Sequence, residues 1–266
     1  LKTFRLSWSP LNEAPLAGII IGFLLHTRAL YLRGLEIHGC PLGNTLERIQ
    51  FILWSLILTF LILRLLWRLD LLGSFCAGLS FGAGWLTLIL PNPDPMYWLA
   101  PDYQKLFSNP WVELHASIAI FSYGVFSLLA IVSGMYLIQR KALLSRKFDK
   151  LGSFLPPIND LEVACWRLLS VGVIFLTISI LVGGMHWTRH PEFVSSIKLA
   201  VTILLWLGYS VVFFLHLTSR IYGSKFAKIS IILFLLAIGS LALVNSKNRE
   251  DTKQEIIPVK SLELSS

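Results

Sequence analysis

Charged residues are scarce in this sequence of 266 residues, of which Asp, Glu, Lys and Arg make up only 14%. Ordinary soluble domains carry about 25%. Hydrophobic residues make up 55%, and several apolar runs are long enough to cross a hydrocarbon core of ~30 Å as helices. The composition therefore excludes an ordinary soluble domain. It predicts an all-α, polytopic integral membrane helical bundle with the lipid bilayer as its surroundings.

Cysteines and catalytic motifs are also rare or missing. The three cysteines, Cys40, Cys76 and Cys165, form no CxxC pair, which argues against a disulfide framework or a zinc site. HExxH, P-loop and GxGxxG patterns are absent, so no catalytic residues are predicted and a classical enzyme has no support. The net charge is +8, but the basic residues lie in short loops and not in a stripe between aromatics. No nucleic-acid partner is expected.

Seven apolar runs predict the membrane spans. They cover 14–33, 49–67, 71–90, 114–138, 164–186, 197–217 and 227–245. We expect one transmembrane domain over 1–245 and a disordered polar tail over 246–266. Lys and Arg are concentrated in the loops at 140–162 and 218–226, which places these loops in the cytoplasm. The expected location is a bacterial inner membrane, with the N-terminus inside and the tail outside.

Span four carries one ionisable group within its apolar part, His115. At 100° per residue His115 shares a stripe with Trp111, Ala119, Ser122, Phe126 and Ser133, and Tyr123 lies at its edge. A membrane helix turns such a face toward other helices or a ligand. Trp111 is either an interface anchor or a group that stacks on a cofactor.

Two local patterns favour structural explanations. Gly78 and Gly82 form a GxxxG pair, which we interpret as a site of tight helix packing and not as a ligand groove. Asn44 is expected to cap the second span or to form a turn before it, and Glu47 to occupy its first turn, where the helix dipole favours an acid.

Six histidines lie in or beside the predicted spans: His26, His38, His115, His186, His190 and His216. Neutral imidazole is a good axial ligand for haem iron. Buried imidazoles also serve in proton relays and as interhelical hydrogen-bond partners. The residues alone leave these roles open.

Four segments, in order, resemble one known family. The two specific ones are PLGNTLERIQFILW, similar to P-x-x-N-x-x-E-x(6)-W, and WVELHASIAIFSY, similar to W-x(3)-H-x-S-x(4)-S-Y. A third is the basic loop followed by LPPINDLEV, and a weaker fourth is the run of Trp187, Trp206, Tyr209 and His216. Through these segments the chain resembles the cytochrome c assembly proteins of the CcsA/CcmC type, including the HemX-like branch.

The resemblance implies a membrane haem-binding protein of cytochrome c biogenesis that presents non-covalent, b-type haem at the outer face. It is an assembly factor in that case and not a classical enzyme, with other cytochrome c assembly subunits and apocytochrome c as candidate partners. By the same resemblance His115 is an outer axial ligand of the haem iron. His216 is a membrane-embedded ligand on the route from the cytoplasm. The expected haem surroundings are Trp111, Ser122, Tyr123, His186 and Trp187.

The chain departs from the family pattern at two places. WTRHPEFVSSIKLAV stands where a W-D-P-K-E segment is expected, with Lys198 in register, and the sequence after the seventh span lacks the second outer histidine. We therefore expect His186 or His190 to supply the second outer ligand. The departures also support an alternative, a HemX-like regulatory or scaffold protein of haem metabolism without haem transfer. A permease for another solute ranks third, because mid-membrane charge is sparse.

Overall fold

Seven helices make up the computed structural model, which describes residues 10–67, 70–89, 110–145, 155–187 and 196–240. The described ranges contain no strand, so the predicted all-α class is confirmed. In chain order the helices are α1 (Pro10–Ile37), α2 (Thr45–Trp67), α3 (Asp70–Ile89), α4 (Pro110–Ser145), α5 (Ile158–Trp187), α6 (Ser196–Leu217) and α7 (Gly223–Ser240).

The helices have the length and apolar character of membrane spans. Within the described residues, six of them are long and apolar enough to cross a bilayer, namely all except α3. The apolar stretch of α3, Phe75–Leu86, is shorter. The chain is thus a polytopic integral membrane protein, and each predicted span overlaps one helix. The predicted tail over 246–266 lies outside the described residues.

Helix α4 is longer than the predicted span of 114–138. It has 36 residues, or about 54 Å at 1.5 Å per residue, against a hydrocarbon core of ~30 Å. It begins at Pro110, where proline suits the first helical position because its missing N–H needs no partner there. It continues past Arg140 to Ser145. The apolar run of 114–138 marked only the middle part of this helix.

The start of α2 confirms the predicted cap. The Asn44 side-chain oxygen accepts the backbone N–H of Glu47 at 2.8 Å. In return Glu47 Oε2 accepts the backbone N–H groups of Gly43 at 2.8 Å and Asn44 at 3.3 Å, which completes a capping box. The second oxygen, Oε1, pairs with Arg33 Nε at 2.7 Å. One buried carboxylate therefore fixes the entry of α2 and ties it to α1.

Antiparallel packing of α4 against α5 forms the centre of the bundle. A methyl group at Gly172 would lie 2.4 Å from the ring of Phe126, and one at Gly124 would clash with Ser55 of α2. Small-residue contacts therefore lie on α4 and α5, and Gly73 makes another on α3, where a methyl group would lie 2.7 Å from the ring of Phe60. The tight packing expected at Gly78 and Gly82 is wrong among the described residues, because a methyl group there meets none of their atoms within 4 Å.

Candidate functional site

One part of the site forms where α4 begins and α5 ends, at the end of the bundle that we call outer because the sequence predicts that it faces outward. His115 lies in the second turn of α4, and its Nδ1 is 2.7 Å from the backbone oxygen of Ser179 on α5. The Ser179 hydroxyl donates to the backbone oxygen of His115 at 3.0 Å and lies 3.1 Å from Nδ1. His115 and Ser179 are thus joined by hydrogen bonds that involve the side chain and the backbone of both residues.

This contact fixes the tautomer of His115. A carbonyl oxygen only accepts hydrogen bonds, so Nδ1 must carry the proton. In the neutral ring Nε2 then keeps its lone pair, which is the form that binds metals. The ring lies against the bare backbone of Gly183, where an added methyl group would come within 2.6 Å of Nδ1. Glycine is required there by close approach.

The predicted stripe of α4 faces other helices over most of its length. Phe126 stacks on Tyr209 of α6 with ring centroids 3.7 Å apart, and Ser133 Oγ lies 3.6 Å from Cys165 Sγ of α5. The prediction that this face meets other helices is therefore confirmed. Trp111, at the start of the helix, is exposed.

Ser122 and Tyr123 make protein contacts inside the bundle. The buried Ser122 hydroxyl donates to the backbone oxygen of Ala119 at 2.6 Å. Tyr123 hydrogen-bonds Ser240 of α7 and packs beside Leu42. These contacts give both hydroxyls protein partners below the outer histidine.

The loop before α2 supports the first turns of α4. Glu113 Oε1 accepts the backbone N–H of Cys40 at 2.8 Å, and the Cys40 thiol lies 3.3 Å from the Ser117 hydroxyl. Burial raises the pKa of the Cys40 thiol, the Ser117 hydrogen bond opposes this, and the negative charge of Glu113 adds to the increase. The loop therefore packs on the side of α4 that faces away from α5.

His216, at the opposite end of the bundle, which we call the inner end, is held by aromatic rings. It stacks on Trp166 of α5 with centroids 4.6 Å apart and 22° between the planes. Phe226 of α7 lies 4.6 Å away on a tilted plane. Among the residues that the structure describes, the buried Nδ1 of His216 has no hydrogen-bond partner. Apolar contacts fix this ring while a ring nitrogen stays unsatisfied.

A polar network fixes the turn between α6 and α7 beside the inner histidine. Glu162 of α5 accepts the backbone N–H of Gly223 at 3.1 Å, and Arg140 of α4 donates to Ser224 at 2.8 Å. Gly223 has φ +62, and a methyl group there would lie 3.2 Å from the Tyr136 hydroxyl. The turn is thus held by two helices and requires glycine.

The outer and inner histidines belong to separate sites. Ser133 of α4 lies at about the same level of the bundle as His216. It contacts Cys165, which precedes Trp166 in the chain, and Trp166 stacks on His216. His115 is 18 residues before Ser133, or about 27 Å away at 1.5 Å per residue. That distance far exceeds the span of two axial ligands on one iron. The expectation of one histidine at each end of the bundle thus matches their placement.

The other histidines differ in surroundings. His26 Nε2 on α1 is buried and has no partner within the described part of the chain. His38 follows α1 with φ 54 and shapes the turn there. His186 and Trp187 lie in the last turn of α5, but their side chains, like all of His190, fall outside the described residues.

Sequence reasoning missed the residues that position the two histidines. Ser179 and Gly183 share one face of α5 with His186, at i, i+4 and i+7. That small-residue face near the end of a span was the available signal. Trp166 and Glu162 gave no such signal in the sequence, because an aromatic residue and an acidic residue are both common near the start of a membrane helix.

Comparison with known proteins identifies one matching family model, described as "Cytochrome C assembly protein", over residues 42–249. The chain is 27% identical over 201 residues to "Protein HemX" of Brevibacillus brevis, covering 74% of this chain and 72% of that one. It is 28% identical over 210 residues to "Cytochrome c biogenesis protein CcsA" of Chlamydomonas reinhardtii, covering 74% of this chain and 55% of that one. It is 23% identical over 208 residues to "Protein HemX" of Bacillus subtilis (strain 168), covering 77% and 74%.

Proposed function

This chain belongs to the cytochrome c assembly protein family, and from that premise we propose that it binds haem non-covalently at the outer ends of α4 and α5. Family membership supports a role in cytochrome c biogenesis. The observation that carries the proposal is the 2.7 Å contact between His115 Nδ1 and the Ser179 carbonyl. It leaves Nε2 as the atom available for iron.

The residues around His115 fit an axial ligand. Metal-binding histidines usually donate their other ring N–H to a carbonyl or carboxylate, which fixes the ring and raises its basicity. Ser179 supplies that carbonyl, and Gly183 supplies room for the ring. Bound haem would provide the iron and the vinyl groups that react when cytochrome c matures. The chain's own task is to hold the imidazole in one tautomer and orientation.

His186 is the proposed second outer ligand. Its position follows Gly183 by three residues on the helical face that contacts His115. Its backbone belongs to the last turn of α5, at the same end of the bundle as the start of α4. His190 is the other candidate from the sequence.

His216 is proposed to hold haem on the inner side. Its buried Nδ1 has no partner within the described residues, and a buried polar atom of this kind is costly unless something binds near the ring. Trp166 offers an aromatic surface beside it. We expect haem to reach the outer site after contact with this inner histidine.

The orientation of the chain is part of the proposal. The helix ends near His216 carry exposed basic residues, namely Arg140, Lys141, Arg220, Lys225 and Lys228. Cytoplasmic ends of membrane helices are enriched in Lys and Arg. His115 would then lie toward the outer face of a bacterial inner membrane. There it would present haem to apocytochrome c together with other assembly subunits.

A second candidate function is a regulatory or scaffold role in haem metabolism without haem transfer. Two observations favour it. The sequence after Trp187 lacks the W-D-P-K-E segment, and two of the similar proteins are named HemX. In this case the family fold would be kept while the outer site does not receive haem.

Absorption spectra of the protein purified in detergent from haem-replete cells test the proposal. We expect a low-spin Soret and α/β signature in the wild type, a large loss in His115→Ala and a partial loss in His216→Ala. His186→Ala and His190→Ala identify the second outer ligand. If neither changes a spectrum that His115→Ala abolishes, the second ligand comes from elsewhere. A wild-type protein without haem, even after reconstitution, would favour the regulatory role.

A further inference from the structure

Arg28 is an exposed cation in the middle of an apolar helix surface. It lies in the span Pro15–Ile37 of α1, and its side chain is exposed. The residues three, four and seven positions before and after it are also exposed and apolar: Ile21, Leu24, Leu25, Tyr31, Leu32 and Leu35. These residues with Arg28 form what we call the α1 face.

The contacts of α1 with α2 give the depth of Arg28. The neighbouring Thr27 accepts the indole N–H of Trp54 at 2.9 Å. Trp54 lies eight residues inside the span Leu46–Leu65 of α2, which is about 12 Å at 1.5 Å per residue. An extended arginine side chain reaches roughly half that distance. Arg28 therefore lies within the candidate span of α1 and beside that of α2, where an arginine either reaches toward the membrane surface or meets a partner charge.

A second arginine on the same helix shows how the chain normally satisfies such a charge. Arg33 pairs with Glu47 at 2.7 Å and with Glu36 at 3.0 Å. Within the described ranges no carboxylate pairs with Arg28. Charged groups within membrane spans normally face a partner, because unpaired charge in hydrocarbon is costly. The chain pairs the shallower arginine and leaves the deeper one for another molecule.

The surroundings of Arg28 favour a helix as the occupant. A groove of about 330 Å³ between α1 and α2 borders the α1 face and is lined by Leu30, Tyr31, Gly34, Pro41, Phe51 and Trp54. Among the described residues, the most apolar window of α1 contains no buried residue, although Ile19 and Phe23 pack against the core. A helix packed along the α1 face would cover Arg28 and the groove together.

We propose that the α1 face is the docking surface for a transmembrane helix of a partner protein, and that this helix carries an Asp or Glu opposite Arg28. The pair would neutralise both charges within the membrane and fix the depth and orientation of the partner. This inference rests on Arg28 and α1 and does not require haem binding.

Photo-crosslinking of the full chain in its native membranes tests the proposal. A photoreactive phenylalanine analogue replaces Leu32, one turn from Arg28, and in a control replaces the exposed Leu235 of α7. We expect a crosslink from position 32 to a membrane-spanning peptide of another protein, with an acidic residue within one turn of the attachment point. Its yield should fall at least fivefold in Arg28→Leu and be restored in Arg28→Lys.

Charge exchange completes the test. Arg28→Glu should abolish the crosslink, and changing the acidic residue of the captured peptide to Lys should restore it. Crosslinks to a second copy of this chain, to another segment of the same chain or to lipid alone would overturn the proposal. So would a peptide without an acid near the attachment point, a yield that does not depend on Arg28, or equal capture by the probe at Leu235. Haem spectra of the same variants keep this outcome separate from the proposed function.

Discussion

The outer and inner histidines are held by opposite means. His115 is fixed by hydrogen bonds to Ser179 of the neighbouring helix, and its ring lies on the bare backbone of Gly183. His216 is held between Trp166 and Phe226, and its Nδ1 has no partner among the described residues. The His115 ring is fixed by directional hydrogen bonds, and the His216 ring is fixed by the aromatic rings that it packs against.

This difference shows which property of its histidine ring each region controls. A hydrogen bond to a ring nitrogen selects the tautomer and aims the other nitrogen, as in many metal sites. Aromatic stacking fixes the plane of a ring but leaves its protonation open. The outer region is therefore suited to holding a ligand firmly. The inner region is suited to weaker contact, which would permit release.

The largest expected effect comes from filling the space beside the outer ring. In Gly183→Leu the new side chain begins 2.6 Å from Nδ1 of His115, so the ring or α5 must shift. We expect the affinity for haem at the outer site to fall by about tenfold to a hundredfold, the range for lost supporting contacts of a metal ligand. Haem titration followed at the Soret band measures it.

Gly184→Leu is the matched control, because a methyl group at Gly184 meets no described residue within 4 Å. Its affinity should equal that of the wild type. Equal losses in both variants would show that the end of α5, and not the position of the outer ring, controls binding.

The next effect concerns the turn beside the inner histidine. Gly223→Ala places a side chain at φ +62 and 3.2 Å from the Tyr136 hydroxyl. The left-handed conformation alone costs about 1–2 kcal/mol for a residue with a Cβ. We expect a lower thermal unfolding temperature in detergent and unchanged haem affinity at the outer site.

Gly239→Ala in α7 serves as its control, since a methyl group at Gly239 meets none of the described residues within 4 Å and alanine favours a helix. An unchanged unfolding temperature in Gly223→Ala would contradict the role of the turn. A changed outer affinity would show that the two regions are coupled.

A smaller effect is expected from Ser179→Ala. The variant loses the hydroxyl that bonds the His115 backbone oxygen but keeps the carbonyl that fixes Nδ1. Loss of one partly buried hydrogen bond costs about 1 kcal/mol, so haem affinity should fall less than in Gly183→Leu. Ser170→Ala, which removes a bond within α5 itself, is the comparison. A loss from Ser179→Ala as large as that from Gly183→Leu would mean that the hydroxyl holds the ring.

The smallest effect is on the reactivity of Cys40. Its raised pKa leaves less thiolate at a given pH, so alkylation at pH 7.5 should be slower than for free cysteine and should increase at higher pH. Glu113→Gln removes a negative charge and should lower the pKa and speed the reaction. Maleimide rates in a Cys76→Ala, Cys165→Ala background measure this, with Glu36→Gln as the control. Equal rates in the two variants would exclude an effect of the Glu113 charge.

Much of the fold could be predicted from the long apolar runs and from the capping residues at the start of α2. Long apolar runs predicted the helices because a membrane span must satisfy its own backbone hydrogen bonds. Asn44 and Glu47 predicted the start of α2, since capping depends on residues three apart. Helix α4 extends beyond the predicted span of 114–138 at both ends, because the terminal turns of a helix longer than the hydrocarbon is thick need no apolar residues. The prediction of tight packing at Gly78 and Gly82 was wrong because small residues permit close helix packing but do not require a neighbouring helix.

The sequence by itself determined the membrane helices, the cap of α2 and the presence of a histidine at each end of the bundle. These depend on local chemistry and on the thickness of the bilayer. Only the tertiary structure decided that Ser179 and Gly183 position His115, that Trp166 and Phe226 enclose His216, and that Arg28 has no acid beside it within the described residues. The physical reason is that these contacts join separate helices, whose rotation and register are set by packing across the whole bundle.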